Sequence, residues 1–141
     1  MKILVAVDGS KSSLNAVKYA AKLAVGLRTK DRVTLISVHD DYGLRHAKQF
    51  VGKTEIEDYL RSVSDEDLKA ARNHLTKAGI SHDAIIKRGH VAEEIIQTAN
   101  SGKFDMVVVG SKGRTSLADL LVGSIAQKIV AAAKPPVVVV K

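Results

Sequence analysis

The chain has no cysteine and no tryptophan, only two prolines, and few aromatic residues of any kind. The first absence excludes disulfides, thiolate metal sites, iron–sulfur clusters and cysteine nucleophiles. Two Phe and three Tyr leave little on which the bases of a nucleic acid could stack. No apolar run approaches the roughly 20 residues that a membrane-spanning helix needs. The opening Met1-Lys2-Ile3-Leu4-Val5-Ala6-Val7-Asp8 meets a carboxylate after five apolar residues, which reads as a strand and not as a targeting segment. A cytoplasmic location with no membrane partner is the expectation.

What is present points to one globular domain spanning residues 1–141. The apolar fraction is 45% and the charged fraction 26%, which is ordinary for a folded domain of this size. The net charge is +7, and such an excess often marks a polyanionic partner. Its distribution argues otherwise. Residues 1–70 carry 12 Lys/Arg against 10 Asp/Glu, residues 71–141 carry 10 against 5, and no basic tract occurs. A solvated basic surface fits this pattern better than a nucleic-acid platform, and a small anion such as a nucleotide needs no wide patch.

Apolar runs and helical spacing alternate along the chain. Ile3 to Val7, Val33 to Val38, Ala84 to Ile86, Met106 to Val109 and Val137 to Val140 read as strands. Most lack polar alternation, the mark of strands buried on both faces of a parallel sheet. Between them, Ser12 to Gly26, a long segment ending near Ala78, Val91 to Ala99 and a segment near 124–133 show helical spacing. Thr54-Glu55-Ile56-Glu57 has the form of a capping box, and Ser64-Asp65-Glu66-Asp67 is a candidate break in the long helix. Residues 40–53 have no clear period. The sum is βαβαβαβαβ, an α/β domain with right-handed crossovers and helices on both faces of a parallel sheet.

In such folds ligands bind beyond the carboxyl ends of the strands, where the winding reverses. The strand exits carry Asp8-Gly9-Ser10, His39-Asp40, Lys87-Arg88-Gly89-His90, and the segment Gly110-Ser111-Lys112-Gly113-Arg114-Thr115. Glycines at the last exit permit close approach of main-chain amides to a ligand. Gly123 precedes a helix, and Ser124-Ile125-Ala126-Gln127 has capping-box spacing, so Ser124 is expected as the N-cap. Unpaired amides and the positive end of the helix dipole favour phosphate there. At roughly 1.5–3 kcal/mol for each charge-assisted hydrogen bond, a few such groups suffice for micromolar binding of a polyphosphate. On spacing alone, the same glycines equally well make only turns and caps. Neither G-x-x-x-x-G-K-[ST] nor a G-x-G-x-x-G after the first strand is present.

Gly110-x2-Gly113-x9-Gly123-Ser124 resembles the ATP-binding signature of the universal stress protein family. Ile3-Leu4-Val5-Ala6-Val7-Asp8-Gly9-Ser10 is similar to that family's first strand and Asp-x-Ser turn. Arg88-Gly89-His90-Val91-Ala92-Glu93-Glu94-Ile95 and Asp105-Met106-Val107-Val108-Val109-Gly110-Ser111 look like its exit from the third strand and its fourth strand. The likeness runs the length of the chain. It implies a single-domain five-stranded parallel sheet in the order 3-2-1-4-5, Rossmann-like and similar to the adenine nucleotide alpha hydrolase fold. It also implies a homodimer and, given the intact glycines, membership of the ATP-binding subgroup. By that resemblance Asp8 lies near the ribose and a Mg²⁺ site, and Val38 meets the adenine. Gly110, Gly113, Gly123 and Ser124 cradle the phosphates of ATP, ADP or AMP. Ala6, Val109 and Arg114 complete the expected nucleotide-binding set. Ala6 departs from the proline that many nucleotide-binding relatives carry, a change of shape and not of charge.

Asp8 has a second reading, as a cap for the first helix. Lys112 and Arg114 are either solvated or neutralise phosphate, and isolated His39 and His90 do not make a metal site. Ser111, Thr115 and Ser124 are hydroxyls without an evident adjacent base, so no nucleophile–base pair announces an enzyme. Slow Mg²⁺-dependent hydrolysis through Asp8, or a non-nucleotide dimeric interaction module, are the alternatives to an ATP-binding regulatory protein. The last strand, Val137 to Val140, is an apolar edge suited to pairing with a second copy. A downstream protein partner is implied without being identified.

Overall fold

The computed structural model describes residues 1–27, 32–40, 52–113 and 121–141. The elements are β1 (Lys2–Ala6), α1 (Lys11–Gly26), β2 (Arg32–His39), α2 (Lys53–Lys77), β3 (His82–Arg88), α3 (Val91–Ser101), β4 (Met106–Gly110), α4 (Ser124–Ala132) and β5 (Val137–Val140). All strand pairs are parallel, in the order β3-β2-β1-β4-β5. The irregular segment and Arg114 fall largely or wholly outside the described residues. No helix among the described residues is long and apolar enough to cross a membrane.

Period-two alternation in buried strands builds two cores, one on each face of the sheet. Ile3, Val5, Val33, Leu35 and Val108 meet Ala16, Val17 and Ala20 of α1 and Leu68, Ala71 and Leu75 of α2. Leu4, Ile36, Val107 and Val109 meet Ile95 and Ala99 of α3 and Ala126 and Ile129 of α4. Two helices therefore cover each face. The chain leaves β1 towards one side of the sheet and leaves β4 towards the other, which makes their adjacent carboxyl ends the switch point.

Three local expectations are corrected. The helix α2 runs unbroken through Ser64-Asp65-Glu66-Asp67. Ser64 and Asp67 are buried, and the Ser64 Oγ lies 2.7 Å from His39 Nε2 at the end of β2. A polar pair that reads as a break in sequence is the inward face of the helix. The capping box at Thr54 does not form: Gly52 is the N-cap, and the Ile56 amide donates to the Gly52 carbonyl at 3.2 Å. Finally, β3 is His82–Arg88, longer than its three-residue apolar centre, because it pairs with β2 along its whole length.

Candidate functional site

The turn after β1 is held by its own side chains. Gly9 has φ +80°, a backbone region that glycine enters without a Cβ clash. Asp8 Oδ1 accepts from the Ser10 amide at 2.9 Å. Ser10, not Asp8, is the N-cap of α1: its Oγ accepts from the Ser13 amide at 3.1 Å. Asp8 is thereby left with its second oxygen, Oδ2, which would stand 3.1 Å from a Cβ at Gly113.

The glycines of the fourth exit play different parts. A Cβ on Gly110 would meet Ser12 Oγ at 2.6 Å and its main-chain carbon and oxygen at 2.7 and 2.8 Å. That position is glycine because β4 leaves the sheet against the first turn of α1. Gly123 packs back on the same segment. Its amide donates to the Ser111 carbonyl at 2.6 Å, and a Cβ there would lie 3.3 Å from that oxygen. The two ends of the glycine signature thus touch. This bond pins Gly123 in an extended conformation (φ −66°, ψ 159°), so Gly123 is the N-cap of α4 and Ser124 is its first helical residue. The expected capping by Ser124 is corrected accordingly. Among the described residues no side chain caps α4, so its first amides lack the side-chain partner that helix starts commonly have.

Beyond the ends of β1 and β4 lies a concavity of about 730 Å³, counted with the open space at its mouth. Of the nine residues expected at a nucleotide site, eight line it: Ala6, Asp8, Val38, Val109, Gly110, Gly113, Gly123 and Ser124. Arg114 lies outside the described residues. Ile36, Val91 and Ile95 add apolar side chains to the lining, and Asp8, Ser13, Ser111 and Lys112 add polar and charged residues beside the glycines. A pocket lined both by apolar side chains and by amides and hydroxyls suits a flat heterocycle joined to an anion.

Several lining residues escape sequence reasoning. Val91 and Ile95, in the first turns of α3, line the cavity outside the expected nucleotide-binding set. Ser13 and Ser111 carry no spacing signal that separates them from ordinary helix and turn serines. His39 does not line the cavity; its ring lies against Ser64 and Ser37 instead, at 2.7 and 3.3 Å. Among the described residues no group of three or more His, Asp or Glu gathers around a metal-sized site.

The model of the family described as "Universal stress protein family" matches residues 1–141. The chain is 31% identical to universal stress protein MJ0531 of Methanocaldococcus jannaschii, over 99% of this chain and 81% of that protein. Protein MJ0577 of the same organism has a solved structure with a TM-score of 0.85 at 26% identity, covering 99% of this chain and 94% of that one. A universal stress protein of Arabidopsis thaliana solved with AMP bound has a TM-score of 0.71 at 21% identity, covering 100% and 91%. The fold also occurs in universal stress proteins solved with cAMP and, from Archaeoglobus fulgidus, with dAMP, at TM-scores of 0.65 and 0.69. With the family model matched from the first residue to the last, this chain belongs to the universal stress protein family.

Proposed function

We propose that the chain binds ATP in the concavity beyond β1 and β4 and acts as a nucleotide-dependent regulatory protein of the stress response. The observation that carries this reading is that eight of the nine residues the family resemblance assigns to a nucleotide line one cavity. The apolar wall beside Val38 and Ala6 takes the adenine. The phosphates lie along Gly110, Gly113, Gly123 and Ser124, where the uncapped amides of α4 and its dipole favour negative charge. The adenine nucleotides held by universal stress proteins of the same fold support the class of ligand.

Mg²⁺ fits the donor set at Asp8. A lone carboxylate is a normal protein contribution to magnesium, the other ligands coming from phosphate oxygens and water. Asp8 Oδ2, the oxygen not engaged by the Ser10 amide, is the group that would hold the ion. Its role would be to neutralise phosphate charge.

The reading includes a homodimer along β5. Among the described residues that strand ends the sheet and pairs with β4 alone, and Val137 to Val140 are only half-buried. Sedimentation velocity on the purified chain tests it, with a monomeric mass as the refuting result.

Calorimetric titration with ATP, ADP and AMP, with and without Mg²⁺, tests the nucleotide reading. Micromolar binding that disappears in a Gly113→Val, Gly123→Val double variant is expected. A native protein that takes up no adenine nucleotide would select the interaction-module alternative. Turnover of about 1 s⁻¹ or faster, within the usual enzyme range and abolished by Asp8→Ala, would make the chain a phosphotransferase or ATPase instead.

A further inference from the structure

The first turn of α1 holds both sides of the cavity through three serines. Ser10 Oγ caps the helix by accepting from the Ser13 amide at 3.1 Å. Ser13 Oγ donates to the Ser10 carbonyl at 3.0 Å and accepts from the Asp8 amide at 3.3 Å. Ser12 reaches in the other direction. Its Oγ accepts from the Lys112 amide at 3.2 Å, across 100 residues of sequence. Its main chain lies so close to Gly110 that no Cβ fits between them. The Asp8 turn and the glycine segment are thereby fastened to one helical turn.

We infer that Ser12 is a positioning residue for the nucleotide: its hydroxyl, through the Lys112 amide, sets the placement of the Gly113 main chain opposite Asp8. Ser12 is not itself among the residues lining the cavity; its hydroxyl acts on a ligand through its bond from the Lys112 amide. Holding the segment in its binding geometry before the ligand arrives removes an ordering cost that binding would otherwise meet. This rests on the nucleotide reading above, and it adds a residue that neither the glycine signature nor the lining of the cavity contains.

The test is Ser12→Ala, in which Ser10 still caps α1. Two readouts are taken on the full chain below its melting temperature. In the ligand-free protein, amide hydrogen exchange at Lys112 speeds up. The neighbouring Ser111 amide, bonded to the Val140 carbonyl at 2.7 Å, keeps its rate and reports that the fold is intact. In titrations with Mg-ATP, affinity falls about three- to tenfold, the fold-change expected for one lost hydrogen bond. If the native chain binds Mg-ATP and Ser12→Ala binds it equally well, or if Lys112 exchange does not change, the positioning role is overturned and the nucleotide reading stands. If the native chain binds no adenine nucleotide, that reading falls and takes this role with it.

Discussion

Gly110 and Gly113 are equal members of one motif in sequence, and the structure separates them. Replacing Gly110 by alanine puts a carbon 2.7 Å from the Ser12 main-chain carbon, 2.8 Å from its carbonyl oxygen and 2.6 Å from its Oγ. Two of these atoms are backbone in the first turn of a helix and cannot step aside alone. Relief requires β4 or α1 to move, although the Ser111 amide holds the end of β4 to Val140 and Ser10 caps the helix. Overpacking of this kind typically costs about 1–3 kcal/mol. For 141 residues, at about 2.1 cal/mol/K of unfolding entropy per residue, that is a drop of roughly 3–10 °C in melting temperature. Alanine at Gly113 meets one side-chain atom, Asp8 Oδ2, at 3.1 Å. A small rotation of the carboxylate relieves it, so stability should change by about 0.5 kcal/mol or less, in the range of ordinary surface substitutions. Thermal and urea unfolding of the two variants, with ATP titration of each, decide the matter. Gly110→Ala as stable as the native chain would refute the steric account. A Gly113→Ala variant that melts far lower while binding ATP normally would reverse the assignment of the two glycines.

Other changes probe separate parts of the structure. Leu68→Ala removes a fully buried side chain where α2 meets the sheet, and urea unfolding should show a loss of about 2–5 kcal/mol. Ser64→Ala deletes the 2.7 Å contact between the fully buried Ser64 and the part-buried His39. It should cost about 0.5–1.5 kcal/mol, the net contribution of a typical hydrogen bond, because His39 keeps its 3.3 Å contact with Ser37; a neutral result would mean that this contact contributes nothing to holding α2 on β2. Asp8→Asn should abolish the gain in ATP affinity on adding Mg²⁺ and leave AMP binding in its absence within a few-fold, read by calorimetry. Leu121, 81% exposed, should tolerate alanine within about 0.5 kcal/mol.

By itself, the sequence determined the order of elements and which strand exits open on the cavity. Continuous apolar runs such as Ile3 to Val7 and Met106 to Val109 bury both faces only in a covered parallel sheet, and the helical spacing between them supplies the cover. Local patterns of this kind survive folding because burial demands them wherever the strand ends up. The glycine and Asp8 positions were legible for a related reason: strand exits are where such sheets leave room. What only the tertiary structure decided are the contacts between distant segments. Ser64 reads as a helix breaker until His39 is seen beneath it. Ser124 reads as a cap until the Ser111 carbonyl is found holding Gly123 in the capping place. Ser12 has no sequence signal at all, because its partner is the amide of Lys112, a hundred residues away. A hydrogen bond or a missing Cβ depends on distances of a few tenths of an ångström between chain segments. Periodicity along one segment carries no information about those distances, and only the packed sheet and its helices establish them.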